Sequence, residues 1–293
     1  MRKTPATDLG RVGIWSPALR ADDAGRRSET ADAARTIEEL GYGTVWLGGS
    51  PGIAHALPLL AATTRLTVAT GILSIWDHQP GDVARETARA NAAHGGRFLL
   101  GLGVSHGARP RPPYTAMTEY LTALDEAPEP VPAGQRVLAA LGPRMLRLAR
   151  DRAAGAHPYF VTADYVARAR AALGPDALLA PELKAVLDPD PERGRTIARG
   201  YLATYLALPN YTNNLRRLGF TQADFADGGS DRLIDATVAI GEPAAVAERV
   251  RGFLAAGADH VAVQVVTGED RALAVPLDAY RALAAELAAE LRG

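Results

Sequence analysis

Short apolar runs alternate with alanine-rich helical runs along the whole chain, and this alternation restricts the fold more than any other feature. Eight runs read as strands: 11–16 (RVGIWS), 43–49 (GTVWLGG), 65–73 (RLTVATGIL), 97–104 (RFLLGLGV), 136–142 (RVLAALG), 155–160 (GAHPYF), 178–187 (LLAPELKAVL) and 260–266 (HVAVQVV). Helix-period segments lie between them, such as 30–40 (TADAARTIEEL), stopped by Gly41, and the set Met117, Tyr120, Leu121 and Leu124. The strands are apolar on both faces, as parallel strands covered on both sides must be. Repeated strand–helix units with such strands predict an α/β fold, a parallel (β/α)8 TIM barrel.

The whole of 1–293 reads as one barrel domain, because the Pro-rich stretch 126–134 is followed at once by further alternation. Residues 188–240 exceed an ordinary connection and hold two helix-like runs, 195–208 and 211–220, so they read as a helical insertion after strand 7. An open doubly wound sheet is the other arrangement, but no Gly-x-Gly-x-x-Gly follows strand 1. A 47% hydrophobic composition supplies a large core, and a net charge of −1 argues against nucleic acid or an anionic membrane as the main partner. The absence of cysteine excludes disulfides, thiolate metal sites and a cysteine nucleophile. Six scattered histidines without ligand spacing predict no metal site. With no membrane-length apolar run and no apolar signal core, a cytoplasmic protein is expected.

In a barrel, chemistry sits at the C-terminal ends of the strands. That rule selects Trp15 after strand 1, Gly49 and Ser50 after strand 2, and Gly71 with Trp76, Asp77 and His78 after strand 3. It also selects Val104, Ser105 and His106 after strand 4, Gly142, Arg144 and Met145 after strand 5, and His157 and Tyr159 after strand 6. Glycines at these ends let a flat ligand approach the backbone. The LGPRM turn at 141–145 opens a helix whose amides can hold a phosphate. A flat phosphorylated cofactor such as a flavin suits this set. Trp15, Trp76, Ser50 and His157 are expected on the substrate side, and Tyr201, Tyr205 and Tyr211 could close a lid over it. His78 and Asp77 read either as a substrate-facing catalytic pair or as a solvated loop. His55, His94 and His260 read as structural.

Several segments in this order and spacing resemble the luciferase-like monooxygenase superfamily, and within it the branch that uses the deazaflavin coenzyme F420. They are 39–49 (ELGYGTVWLGG), 65–73, 95–106 (GGRFLLGLGVSH), 138–160 and 241–266. The resemblance implies a barrel with an insertion after strand 7, a homodimer, and a bulge in strand 3 with a non-proline cis peptide, by position Gly71–Ile72. It implies that Ser74, Val104 and Ser105 line the deazaflavin ring, and that Leu141, Gly142, Arg144 and Met145 bind its phosphate arm. His106 falls where related dehydrogenases carry an acidic residue; it either donates a proton or bonds the ring edge. Relatives acting on sugar phosphates have Asp-His after strand 2, where this chain has Gly49 and Ser50, so that substrate class and its imidazole proton donor are not expected.

The reading is therefore a deazaflavin-dependent oxidoreductase that moves a hydride to or from a C=C, C=N or C=O bond of a small organic substrate. An FMN-dependent monooxygenase is the alternative, and a non-catalytic cofactor-binding barrel a third. A Schiff-base aldolase would need a strand lysine, and Lys184 is the one candidate.

Overall fold

Residues 8–105, 111–268 and 274–292 are described by a computed structural model. The first half alternates β1 (Val12–Ser16), α1 (Ala24–Glu39), β2 (Thr44–Leu47), α2 (Leu57–Ala62), β3 (Thr67–Thr70), β4 (Leu73–Ser74), α3 (Pro80–Ala93), β5 (Phe98–Gly103) and α4 (Pro113–Asp125). The second continues with β6 (Arg136–Leu138), α5 (Pro143–Arg152), β7 (Gly155–Ala156), α6 (Ala163–Leu173), β8 (Leu178–Leu179) and β9 (Glu182–Val186). After β9 come α7 (Pro191–Leu206), α8 (Pro209–Arg217), α9 (Asp231–Thr237), β10 (Val238–Ile240), α10 (Pro243–Ala255), β11 (Val261–Val265) and α11 (Leu277–Glu286).

The strands pair in parallel in the order β10-β9-β11-β1-β2-β3-β5-β6-β7-β8, with β4 against β5. The two halves of the run 178–186, β8 and β9, pair with β7 and β11 respectively, and this run closes the ring. Ala180 N–H donates to Ala156 O and Glu182 N–H to Pro158 O, both at 2.9 Å, while Ala262 N–H donates to Pro181 O at 2.9 Å on the opposite edge. Residues 178–186 are thus one bent stave, interrupted at Pro181 because proline has no N–H to give the ladder. With β4 continuing β3 beyond the bulge, the staves form a (β/α)8 barrel.

Alternation along each stave sorts its side chains. Val12, Ile14, Val45, Leu47, Leu100 and Leu102 face the helices. Trp15, Trp46, Ala69, Leu99, Val137 and Ala180 fill the bore. The bore is crowded: a Cβ on Gly13 would stand 2.5 Å from Thr44 O and 2.7 Å from the His260 ring.

The segment after β9 folds as α7, α8, a 3-10 turn at Gln222–Gly228 and α9, around its own apolar cluster of Leu202, Tyr211, Leu215, Phe225, Leu233 and Ile234. It ends in β10, which pairs with β9 through Val238–Lys184 and Ile240–Val186. Sequence reading gave the region as helical throughout, because a three-residue strand leaves no periodic signal. Helix α3 starts at Pro80 with Gln79 as its cap, and Asp82 lies in its first turn.

Candidate active site

A cavity of 330 Å³ opens at the C-terminal mouth of the barrel. Its floor is main chain. β3 stops at Thr70, the Gly71–Ile72 peptide is cis, and β4 resumes the strand at Leu73. Gly71 O accepts a 3.0 Å hydrogen bond from Trp15 Nε1–H. A Cβ at Gly71 would lie 2.8 Å from Trp15 Nε1 and one at Gly48 2.4 Å from the Trp15 ring, so both glycines are required by that indole. Beside the bulge, Gly103, Val104 and Ser105 from the end of β5 complete a flat shelf.

Ala139, Ala140, Leu141 and Gly142 lead along one wall from β6 to the N-terminus of α5, with Met145 behind them. Gly142 is the N-cap of α5 and gives it no side-chain bond, and Pro143 follows it. The amides of Arg144 and Met145 therefore have no partner within the helix and carry its positive dipole end. Nothing lies within 4 Å of the Cβ position at Gly142, so the turn opens on free space. A planar ring fits the shelf, and a phosphate fits the helix end.

The opposite end is aromatic and polar: Trp15, His157, Tyr159, Tyr205, Asn210 and Tyr211 line it. Among the described residues no Asp, Glu, Lys or Arg lines the cavity. The His157 ring is stacked on Trp46 at 4.0 Å and 5°, and Ala180 O lies 2.7 Å from its Nδ1. Burial pushes its pKa down to about 3, so the ring is neutral, with Nδ1 as the donor to Ala180 and Nε2 without a protein partner. Trp46 in turn donates to His260 Nε2 at 3.0 Å, and burial holds His260 down to about 4.

Directly behind Tyr159 lies a buried ion pair. Lys184 and Glu182, each 1% exposed, project into the bore from β9 at 2.9 and 3.1 Å. Glu182 also accepts the Phe160 amide at 3.1 Å. Burial pushes the acid up and the amine down, and each partner opposes that shift on the other. Lys184 Nζ stands 3.6 Å from the centre of the Tyr159 ring and 5.6 Å from that of Tyr205.

Of the residues expected here, Trp15, Gly49, Ser50, Gly71, Ile72, Val104, Ser105, Leu141, Gly142, Met145 and His157 line the cavity. Four do not. Ser74 is 1% exposed and turns to accept the Trp76 amide at 3.3 Å, away from the shelf. Trp76 donates through Nε1 to Val104 O at 2.6 Å, holding the shelf from behind. Asp77 is exposed, and no hydrogen bond joins it to His78, whose ring lies against Gly52; of the two readings of this pair, the structure places it as a loop outside the cavity. Arg144 stacks on Tyr114 at 4.4 Å, exposed beside the helix end. His106 lies outside the described residues. Sequence reading missed Asn210 and the Ala139–Ala140 wall. It placed Tyr205 and Tyr211 in a lid, whereas both belong to the cavity wall. Only the four-residue spacing Tyr201–Tyr205 hinted that the hydroxyls share one helix face.

The luciferase-like monooxygenase family model matches residues 11–124. No curated protein matches the sequence. Among solved structures, an F420-dependent secondary alcohol dehydrogenase in complex with an F420–acetone adduct superposes at TM-score 0.72 and 14% identity, covering 97% of this chain and 99% of its own. The coenzyme F420-dependent tetrahydromethanopterin reductase of Methanopyrus kandleri gives 0.75 at 15%, covering 97% and 100%. The oxygenating constituent of 3,6-diketocamphane monooxygenase from Pseudomonas putida, in complex with FMN, gives 0.64 at 13%, covering 96% and 98%. Residues 11–124 thus match the luciferase-like monooxygenase family, and the chain as a whole carries the TIM-barrel fold of these luciferase-like enzymes.

Proposed function

We propose that this protein is a deazaflavin-dependent oxidoreductase, moving a hydride between reduced coenzyme F420 and a C=C, C=N or C=O bond of a small organic substrate. The observation that carries the reading is the cavity itself: a backbone shelf at Gly71–Ile72 and Gly103–Ser105, continuous with the uncapped N-terminus of α5. When bound, the coenzyme supplies the hydride carrier; orientation and dryness come from the chain. Gly71 and Ile72 would support one face of the ring and Val104 and Ser105 its edge. The amides of Arg144 and Met145 would hold the phosphate, and Trp15, held to Gly71 O at 3.0 Å, would fix the edge of the substrate pocket. Arg144 is close enough along the chain to add its charge by leaving Tyr114.

An FMN-dependent monooxygenase is the second reading, because the same shelf would take an isoalloxazine and the Pseudomonas putida neighbour is in complex with FMN. Titration of the purified protein with coenzyme F420 and separately with FMN, followed by fluorescence, tests both. Micromolar binding of the deazaflavin is the expected result. Binding of FMN alone moves the chemistry to oxygen, and binding of neither refutes both readings. A homodimer in the cytoplasm belongs to the same reading; light scattering checks the assembly.

A further inference from the structure

Hydride transfer to a C=O or C=N bond leaves a negative heteroatom that needs a proton. The histidine on the cavity wall cannot bring one: His157 is neutral and has committed its Nδ1–H to Ala180 O at 2.7 Å. The described titratable groups that remain on the wall are tyrosines, and two of them belong to a hydroxyl network running into the bore. Gln264 Nε2–H donates to Tyr201 Oη at 2.5 Å, and Tyr201 Oη lies 3.0 Å from Tyr159 Oη. The single hydroxyl proton of Tyr159 has three acceptors in reach, Gln264 Oε1 at 2.9 Å, Tyr201 Oη at 3.0 Å and Tyr205 Oη at 3.2 Å. It can close the ring on Gln264 or turn toward Tyr205.

We propose that Tyr205 is the catalytic acid of this cavity and that Tyr159 steadies its phenolate by a hydrogen bond. This rests on the function proposed above. As the substrate carbon of a C=O or C=N bond accepts a hydride from the reduced deazaflavin, the Tyr205 hydroxyl gives its proton to the oxygen or nitrogen. The product is an alcohol or amine, and Tyr205 is left as a phenolate. Tyr159 keeps its proton and turns its hydrogen bond from Gln264 to the Tyr205 phenolate oxygen, and a proton from solvent restores the Tyr205 hydroxyl once product leaves. Burial raises the Tyr159 pKa well above its ordinary value, which keeps it a donor. Lys184 Nζ lies 3.6 Å from the centre of the Tyr159 ring and 5.6 Å from that of Tyr205, and Glu182 on β9 is its ion-pair partner. Tyr211 of α8 meets Tyr205 edge-on at 5.6 Å and presents no charge.

The test uses cyclohexenone labelled at its carbonyl carbon as the probe. In the wild-type protein its carbonyl infrared band should move to lower frequency than in hexane. Tyr205→Phe should lose that shift and bind the probe about five- to tenfold more weakly, while Tyr159→Phe keeps most of it. An unchanged band in Tyr205→Phe overturns the proposal. If that variant does not fold, difluorotyrosine at position 205 retains the ring and should deepen the shift; an unchanged band again overturns it. The band is read with and without coenzyme. Failure to bind deazaflavin refutes the proposed function alone, whereas deazaflavin binding with no band shift refutes the acid alone. Where cyclohexenone is turned over, Tyr205→Phe should slow the step at least tenfold. Loss of rate above a pH near ~6.5 would mark an imidazole donor and also overturn it.

Discussion

Lys184→Met removes one half of the buried ion pair while nearly preserving side-chain length. Both partners are 1% exposed, and Lys184 supplies two of the three hydrogen bonds that Glu182 receives. Breaking such a pair on one side costs about 3–5 kcal/mol, because the remaining charge has no water to turn to. The stranded acid escapes part of this by keeping its proton, and burial already pushes it that way. In the variant the folded carboxyl therefore titrates above the unfolded value of about 4.3. Below that value both states are protonated and no pH-dependent penalty exists. Above it the unfolded chain binds fewer protons, so the variant loses stability as pH rises, by up to about 1.4 kcal/mol per unit until the folded pKa is passed. Between pH 5 and 7.5 the deficit relative to wild type should grow by up to about 3 kcal/mol. Urea unfolding of both proteins, followed by tryptophan fluorescence at the two pH values, measures it. A Glu182→Gln/Lys184→Met protein, with neither charge, should recover most of the loss and show no such trend. A single-variant deficit below about 1 kcal/mol at pH 7.5, or one that does not change with pH, refutes the account of a buried, mutually dependent pair.

The buried histidines make the wild type acid-sensitive. His157 is pushed down to about 3 and His260 to about 4, so the stability they contribute is complete above pH ~6.5 and is lost as pH falls through that window. At pH 5 the two account for about 4 kcal/mol, and His157→Phe, which preserves the stack on Trp46, should remove about half of that acid dependence in unfolding measurements. Gly71→Ala puts a methyl 2.8 Å from Trp15 Nε1 and 3.2 Å from Leu47 O. It should cost about 1–3 kcal/mol and weaken cofactor binding at least tenfold by fluorescence titration. Gly142→Ala meets nothing within 4 Å, so its thermal midpoint should move little, with about 1 kcal/mol at most from the poorer cap. Its deazaflavin affinity should still fall, and an unchanged affinity would exclude the α5 end as the phosphate site.

The alternation of apolar runs with helical runs was sufficient to reach the barrel. Strands covered on both faces cannot hide their composition, and the rule of strand ends then pointed to Trp15, Gly71, Val104, Gly142 and His157 without any coordinates. The limits of that rule show at Trp76, Asp77 and His78. They follow a strand end in sequence, yet the chain turns after Leu73–Ser74, so Trp76 braces Val104 O from outside and Asp77 meets solvent. Proximity to a strand end is a local property, whereas facing the cavity depends on which way the bulge throws the backbone. The polar bore was equally illegible. Glu182 and Lys184 stand in a short run that reads as a strand, where alternation puts both on one face, but nothing in the run says that this face is the bore.

The sequence by itself determined the parallel α/β architecture, the position of the insertion and the glycine-bearing strand ends, because periodicity, glycine and proline act through the local backbone. The tertiary structure alone decided that β8 and β9 are one stave closing the barrel, that β10 joins it, and that tyrosines from β7's end and α7 meet Gln264 of β11 over Lys184. Those groups are separated by as many as 105 residues in the chain. Nothing local links them, and only closure of the barrel brings their hydroxyls within hydrogen-bonding distance.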